Sequence, residues 1–374
     1  MKITSIETWS CKRDLSLFPE NRAGANMPWD VVVMRVDTDA GVSGYASALA
    51  ARSSKVTEAY LHETIAPVAL GRDALGERER IWQELWTVDR HLTFFPVYLP
   101  GPLDVALWDI AARAADLPLY KYLGGFRNKL PAYASGLFHE TLDDYVTEAL
   151  AYQKRGLPGY KVHSPGPWRA DIETHQALRD AVGPDYLLFS DPVADYTVDQ
   201  AIRVGRGLEA ANYVWFEEPF RDFELAKYSQ LCAALDIAVA ATETTRGCHW
   251  GVAQAISQKA ADIVRADVSW KAGVTGTMKI ARLAEAFGMN CEIHTTTMAL
   301  MDIANLHVSC AISNCEYFEL FVPEEAFQFP LLGKLPIDAD GMAVVPEGPG
   351  LGVEVDWDAV DKLCVSHKVS KVNA

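Results

Sequence analysis

Residues 186–244 decide the fold, and they read YLLFSDPVADYTVDQAIRVGRGLEAANYVWFEEPFRDFELAKYSQLCAALDIAVAATET. Three short apolar runs in this stretch, YLLFSD, YVWFEEP and AVAATET, have the length and composition of buried β-strands. Segments 198–210 and 223–234 between them predict helices, and TVDQ at 197–200 is a capping box that marks the start of the first one. The stretch therefore contains two strand–helix units followed by a third strand.

The same alternation runs from residue 130 to residue 322. Five further strands are predicted, with the sequences PAYASGLF (131–138), GYKVHS (159–164), DIVRADVS (262–269), MNCEIHT (289–295) and EYFELFV (316–322). Eight strands with intervening helices over roughly 200 residues fit a closed parallel (β/α) barrel. The rival fold is an open doubly wound sheet, which normally carries a Gly-rich phosphate loop after its first strand; this sequence has none.

The chain on either side of the barrel has a different pattern. Segments 3–8 and 31–37 are typical of strands, and segments 55–65, 77–86 and 103–115 have helical periodicity. Residues 331–363 are too polar and too rich in Pro-Gly turns to form a ninth barrel unit, so we expect them to pack against the N-terminal part. The predicted domains are an α+β capping domain (1–128), the barrel (129–328) and a C-terminal tail that returns to the cap (329–374).

Composition narrows the class of protein. The chain has 374 residues, 49% of them hydrophobic and 22% charged, which is enough for a large core and excludes disorder. A formal charge of −16 disfavours nucleic acid and anionic membranes and favours a small-molecule partner. Seven cysteines without a Cys-x-x-Cys pair, no signal peptide and no long apolar run predict a soluble cytoplasmic protein.

Three predicted strands end in carboxylates: Asp191, Glu217 and Glu243, each 26 residues from the next. Active sites of parallel barrels lie at the carboxyl ends of the strands, so these three acids are expected to converge. Three close carboxylates repel one another, and a hard divalent cation is their natural counter-ion. Oxygen ligands without cysteine or histidine favour Mg²⁺ over zinc.

Bases and further acids occupy other strand ends. Lys161 and His163 lie on the strand before Asp191, on the same side of it because side chains repeat every two residues. His294 ends a later strand, and Asp267 is placed to orient its imidazole. The last strand carries Glu319. Whether Glu218 and Asp195 contribute to the site is left open by the pattern.

At this point the sequence resembles the enolase superfamily and, within it, the mandelate racemase and muconate lactonizing enzyme branch. The resemblance includes LDVALWDIAARAADLPLYKYLGG (103–125), the strand-end carboxylates, the Asp267 and His294 pair, and EGPGLGVEVDW in the tail. It implies a modified (β/α)7β barrel under an α+β cap, and a cytoplasmic homo-oligomer between dimer and octamer. It also implies that the three acids bind Mg²⁺, that His294 and Asp267 form a catalytic dyad, and that Glu319 hydrogen-bonds the substrate carboxylate.

The sequence also departs from this branch. The usual Lys-x-Lys is Lys161-x-His163, and the usual Asp-x-Asn is Asp191-Pro192-Val193. Thr242 precedes Glu243 where glycine is common, and Arg265 replaces a frequent glutamine. The departures affect the subgroup and leave the metal ligands in place.

The expected chemistry is removal of the proton next to a carboxylate, because a divalent ion and positioned donors stabilise the enediolate that results. We favour dehydration of a sugar acid, an aldonate or aldarate, to a 2-keto-3-deoxy acid, since a histidine can protonate the departing hydroxyl. Racemisation or epimerisation by His163 and His294 on opposite faces is the alternative. A non-catalytic ligand-binding barrel is a further reading, and a zinc hydrolase is disfavoured because the first strand lacks His-x-His.

The substrate is not specified by these motifs. Candidate substrate-binding residues are Arg22, Trp29, Arg52 and His139, which lie on predicted loops at the barrel mouth. Arg22 and Arg52 would receive a distal carboxylate, whereas Trp29 would pack on an apolar group.

Overall fold

The structure is a computed structural model that describes residues 1–13, 15, 29–50, 53–92, 95–163, 166–193, 196–296 and 298–372. The strands in chain order are β1 (Ile3–Cys11), β2 (Val31–Thr38), β3 (Ser43–Leu49), β4 (Lys129–Ser135), β5 (Gly159–His163), β6 (Leu187–Asp191), β7 (Trp215–Glu217), β8 (Ala238–Ala241), β9 (Ile263–Ala266), β10 (Cys291–Ile293), β11 (Phe318–Phe321), β12 (Met342–Val344) and β13 (Cys364–Lys371).

The helices in chain order are α1 (Ser54–Tyr60), α2 (Ala66–Ala69), α3 (Arg78–Leu92), α4 (Pro100–Ala114), α5 (Leu119–Tyr122), α6 (Leu142–Lys154), α7 (Trp168–Val182), α8 (Val198–Ala210), α9 (Leu225–Ala234), α10 (Cys248–Ser257), α11 (Gly273–Ala286), α12 (Ala299–Ala311) and α13 (Trp357–Leu363). A π-helical turn, Leu61–Ile65, joins α1 to α2, and a 3₁₀ turn, Glu324–Ala326, follows β11. Within the described ranges, none of these helices has the length and apolarity needed to cross a membrane.

Two sheets organise the chain. The first is antiparallel, with strand order β13-β1-β2-β3, so the C-terminal strand pairs with the N-terminal one. The second is parallel along β10-β9-β8-β7-β6-β5-β4-β11 and curls so that its two end strands come close together. Among the described residues no ladder joins β10 to β11. Single contacts close the gap instead: Cys291 N donates to Asn314 O, before β11, at 2.7 Å, and Thr295 Oγ1, after β10, donates to Glu319 O on β11 at 3.2 Å. The predicted barrel under an α+β cap is confirmed.

Seven of the eight barrel strands fall within the runs predicted from the sequence, whereas β4 begins at Lys129, two residues before its predicted run. The helix α8 has the predicted bounds, and α9 begins two residues after its predicted start. The tail differs from expectation in one respect. The strand β12 pairs antiparallel with β4 of the barrel rather than with the cap, because Met342, Ala343 and Val344 lie against the first residues of β4. Only the following segment returns to the cap, where β13 completes the sheet.

The helix α4 joins the cap, the barrel and the tail through two buried acids. Asp104 accepts from Thr275 N at 2.8 Å and from Thr275 Oγ1 at 2.6 Å, at the start of α11. Asp109 accepts from Tyr45 N at 3.0 Å and from Leu351 N at 2.8 Å, and it pairs with Arg113. These contacts explain why the segment 103–125 carries acids inside an otherwise apolar helix.

An aromatic layer fills the lower barrel. It consists of Tyr133, Phe189 and Trp215. The ring centroids of Tyr133 and Phe189 are 4.5 Å apart, and those of Phe189 and Trp215 are 4.2 Å apart. Phe189 and Trp215 each precede a strand-end acid by two residues, so the acids lie on the same inward side, one layer higher. The charged layer at the mouth therefore rests on a packed apolar floor.

Asp109→Ala tests the junction between cap and tail. The change leaves the backbone N–H groups of Tyr45 and Leu351 unsatisfied and Arg113 without its partner. We expect the free energy of unfolding to fall by about 3 kcal/mol, measured as a lower urea midpoint. Glu173→Ala, on an exposed position of α7, is the control. An unchanged midpoint in Asp109→Ala would contradict this account of the motif.

Candidate active site at the barrel mouth

The carboxyl ends of the barrel strands carry the charged residues of the site. They are Lys161 and His163 on β5, Asp191 on β6, Glu217 on β7, Glu243 after β8, Asp267 after β9, His294 after β10 and Glu319 on β11. All are buried except Glu243, which is partly exposed. Such a concentration of buried charge requires close pairing, since an unpaired buried charge is costly.

Asp191, Glu217 and Glu243 lie close enough to share one ion. Each offers a carboxylate oxygen, and the three oxygens lie within 4.8 Å of one another. A compact set of carboxylate oxygens is the donor type that Mg²⁺ prefers. The residues therefore fit the ion that the sequence predicts.

Lys161 lies at the centre of the acids. Its Nζ is 3.2 Å from Asp191 Oδ2, 3.2 Å from Glu217 Oε2 and 2.6 Å from Glu319 Oε1. Burial alone would lower the pKa of Lys161, but Glu217 and Glu319 outweigh it and hold that pKa well above its usual range. Lys161 is accordingly a fixed positive charge.

Arg265 is a second buried cation in the same cluster. Its Nε donates to Glu217 Oε1 at 2.7 Å, and its Nη2 donates to Glu319 Oε2 at 2.5 Å. Burial opposes ionisation of Glu319, but Lys161 and Arg265 hold the pKa of its carboxyl well below the ordinary value. Glu319 is therefore an anion locked between two cations.

At the rim of the site, the pKa values of the acids are raised rather than lowered. Burial, followed by repulsion from Glu218 and Glu217, raises the pKa of Glu243 well above its usual range. Burial and then Asp191 and Glu217 raise the pKa of Glu218 to about 8. The rim thus has more negative charge than its cations compensate, which is the condition that a divalent ion relieves.

His294 is oriented by Asp267. Its Nδ1 lies 3.1 Å from Asp267 Oδ2, and its Nε2 lies 3.3 Å from Glu243 Oε1. The other oxygen of Asp267 accepts from the backbone N–H groups of Ser269 at 2.6 Å and Trp270 at 2.8 Å. This carboxylate is fixed by the loop after β9 and holds the proton of His294 on Nδ1, so Nε2 faces the acids.

His163 is oriented by a backbone carbonyl instead. Its Nδ1 donates to Gly136 O at 2.5 Å, and because a carbonyl oxygen only accepts, the Nδ1 position carries a proton. Its Nε2 lies 3.4 Å from Asp191 Oδ2. Both histidines therefore direct Nε2 toward the carboxylates, His163 from the side of β5 and His294 from the side of β10.

Unusual backbone conformations accompany all three carboxylate strands. Val193, Glu218 and Thr242 have positive φ angles of 55°, 36° and 88°. Left-handed conformations are rare for residues other than glycine and are strained for β-branched side chains such as valine and threonine. Each lies within two residues of a predicted metal ligand, so strained turns set the positions of these acids.

A cavity of about 280 Å³ lies beside these groups. Among the predicted substrate-binding residues, Trp29 lines it. His139 is placed elsewhere: its Nε2 pairs with Glu148 Oε2 at 3.0 Å, and its backbone N–H donates to Tyr145 Oη at 2.9 Å. Arg22 and Arg52, like Asp195, lie outside the described residues.

The sequence did not single out several groups that the structure brings to the site. Arg265 was noticed only as a departure from the resemblance, and Phe321 was not assigned a role at all. A signal for Phe321 was present, because it follows Glu319 by two residues and so lies on the same side of β11. The role of Glu218 on the cavity wall depends on its left-handed backbone, which a strand pattern does not reveal.

Comparisons with known proteins agree with this geometry. Residues 144–359 match the family model described as enolase C-terminal domain-like. Residues 23–124 match the N-terminal domain of the mandelate racemase and muconate lactonizing enzyme family. The chain belongs to the enolase superfamily, in the mandelate racemase and muconate lactonizing enzyme branch.

Relatives in this superfamily include acid-sugar dehydratases and cycloisomerases. Arabinonate dehydratase of Saccharolobus solfataricus is 30% identical over 338 residues, which cover 88% of this chain and 90% of the relative. D-galactarolactone cycloisomerase of Agrobacterium fabrum is 28% identical over 97% of this chain and 99% of its own length. The crystal structure of D-glucarate dehydratase from Agrobacterium tumefaciens, complexed with magnesium, superposes with a TM-score of 0.87 at 31% identity and covers 98% of this chain and all of that one. Because these relatives are enzymes of the same superfamily, the comparison indicates that this chain is an enzyme.

Arg265→Gln tests the charged cluster. The change removes the cation that pairs with Glu217 and Glu319, so Lys161 is the one remaining buried cation that pairs with both acids among the described residues. We therefore expect the free energy of unfolding of the metal-free protein to fall by about 3 kcal/mol. Mg²⁺ should recover part of the loss, because it neutralises Glu217, one of the two acids that Arg265 pairs with. The rise in Tm on adding Mg²⁺ is then larger in the variant than in the parent.

The matched control is Arg203→Gln, which breaks an exposed i,i+4 pair with Asp199 on α8 and should leave Tm and its response to Mg²⁺ unchanged. A variant at position 265 that melts like the parent in EDTA would show that the cluster does not depend on Arg265.

Proposed function

We propose that this chain is a Mg²⁺-dependent dehydratase of a sugar acid, an aldonate or aldarate, that forms a 2-keto-3-deoxy acid. The observation that carries the proposal is the pair of anchored imidazoles, His163 and His294, which direct Nε2 into one cavity toward the carboxylates. The dehydratases among the relatives support the same reaction class.

Asp191, Glu217 and Glu243 would hold the ion. Bound there, Mg²⁺ supplies positive charge that stabilises the enediolate formed from the substrate carboxylate. Lys161 would supply positive charge toward that carboxylate, and Glu319 holds the ammonium of Lys161 in place at 2.6 Å. The oxygen-only donor set supports Mg²⁺ in this role.

We assign the α proton to His294. Asp267 accepts from Nδ1 and stabilises the imidazolium that forms when Nε2 takes the proton, while the electron pair of the C–H bond stays on the substrate. The Cβ–O bond then breaks, and His163, in the form protonated on both ring nitrogens, donates its Nε2 proton to the departing hydroxyl, which leaves as water. The enol that remains tautomerises to the 2-keto acid.

Racemisation or epimerisation is the second candidate function. It is favoured by the same two imidazoles, because a proton taken by one nitrogen and returned by the other inverts the α-carbon. The two reactions differ in their products: dehydration gives a keto acid, whereas epimerisation in D₂O gives the α-deuterated epimer without keto acid.

The single histidine variants test the assignment in D₂O with Mg²⁺. We expect His294→Asn to lose both keto-acid formation and α-proton exchange by about 10³-fold. His163→Asn should lose keto-acid formation by a similar factor yet retain exchange, because it lacks only the acid for the hydroxyl. Keto acid is followed by semicarbazone absorbance and exchange by NMR.

His91→Asn, on an exposed position of α3, is the control and should behave as the parent. Full activity in His294→Asn would rule out the dyad. Exchange in the parent without keto acid from any sugar acid would replace the dehydratase proposal with the epimerase.

A further inference from the structure

The cavity beside the acids is lined by two chemically different sets of residues. One set is polar and includes the groups used in the proposed mechanism, together with Thr244, Thr295 and Thr296. The other set is apolar and consists of Trp29, Leu137, Phe138, Val193, Trp270 and Phe321. The proposed reaction does not use the apolar set, which is left to contact the part of the substrate beyond its reacting carbons.

The apolar surface begins next to the reacting nitrogens. The ring of Phe321 lies 6.1 Å from that of His163, nearly parallel at 23°, and 6.3 Å from that of His294, at 89°. The ring centroid of Phe138 lies 5.5 Å from that of His163. A substrate whose α-carbon lies between the two imidazoles therefore meets aromatic rings with the carbons that follow.

Val193 extends this surface to the rim at a conformational cost. Its side chain is apolar and 42% exposed, and its backbone lies in the left-handed region at a φ of 55°. Asparagine or glycine adopts this conformation far more readily than a β-branched residue. A strained and exposed valine is unfavourable for the free protein, and such outliers are most often tied to function.

Among the described residues, electrostatics also disfavour a second anionic group beside the apolar set. The charged residues of the described lining besides the histidines are the acids Asp191, Glu218 and Glu243, and the cluster cations Lys161 and Arg265 are already paired with acids. A distal carboxylate would lose its hydration against aromatic rings, and a distal hydroxyl would lose hydrogen bonds to water. A methyl group would gain from the same burial.

We propose that the substrate is a monocarboxylic sugar acid that ends in a methyl group, a deoxyaldonate, with Val193 as a residue that determines this specificity. The inference rests on the proposed dehydration for its reacting end. It concerns only the distal end, so the two can be tested separately.

The first test compares acids that differ only at C6. For the gluco, galacto and manno configurations, in both enantiomeric series, the 6-deoxyaldonate, the aldonate and the aldarate are assayed with Mg²⁺. We expect kcat/KM to be about tenfold to a hundredfold higher for the methyl compound than for the hydroxymethyl compound. The diacid should be the poorest of the three. Preference for the diacid or the hydroxymethyl compound would overturn the inference.

Binding separates this inference from the reaction. Titration calorimetry of the same acids into His294→Asn with Mg²⁺ ranks affinity without turnover. If the methyl compounds bind most tightly but the parent protein forms no keto acid, dehydration is rejected and the preference for a methyl end is kept. If the parent forms keto acid but prefers diacids, the preference for a methyl end is rejected and dehydration is kept. If none of the acids is bound or converted, both are rejected.

Substitution of Val193 gives an independent readout. Val193→Asn relieves the left-handed strain and should raise Tm, yet it places an amide on the apolar wall and should lower the preference for methyl over hydroxymethyl about tenfold. Val193→Ala keeps the wall apolar and should keep the order of preference. An Asn variant with the same preference as the parent would show that Val193 does not set specificity.

Discussion

The site depends on one constraint: carboxylates that converge at the centre of a barrel must be compensated by buried cations. Lys161 and Arg265 do this for the deeper acids, Glu217 and Glu319, and leave the rim acids with excess negative charge. Since breaking one buried ion pair costs several kcal/mol, the cluster holds its members in fixed positions. The remaining charge at the rim is what a divalent ion would balance, so the stability of the barrel and the proposed chemistry rely on the same contacts.

Contacts above and below the charged cluster also fix the positions of its acids. Trp215 belongs to the aromatic floor, and its Nε1 donates to Glu217 Oε2 at 2.8 Å, which joins the floor to the charged layer. At the top, the strained turns at Val193, Glu218 and Thr242 fix the angles at which the strand-end acids emerge. Strain of this kind persists only where surrounding structure determines it, and the barrel provides that structure.

Much of this arrangement could be predicted from the sequence, because it follows from periodicity. The equal spacing of Asp191, Glu217 and Glu243 indicates two strand–helix units of the same length, and a parallel barrel brings equivalent strand ends together. The Asp267 and His294 pair followed in the same way, and the structure places the two side chains in contact. The roles of these residues in metal binding and catalysis stay predictions.

Other features could not be predicted because no short pattern encodes them. The helix α12 is buried on every side, so it lacks the amphipathic period by which helices are recognised. The π-helical turn at Leu61–Ile65 depends on tertiary packing. His139 has the residue type of a site residue, but its contact with Glu148 depends on how β4 and α6 pack together.

The central claim is that Glu217, rather than its neighbour Glu218, completes the metal site with Asp191 and Glu243. Calorimetric titration of the metal-free protein with Mg²⁺ tests it most directly, comparing the parent with Glu217→Gln and Glu218→Gln. We expect one ion per chain in the parent, at least about a hundredfold weaker binding in Glu217→Gln, and nearly unchanged binding in Glu218→Gln. Loss of Mg²⁺ binding in Glu218→Gln with retention in Glu217→Gln would contradict it.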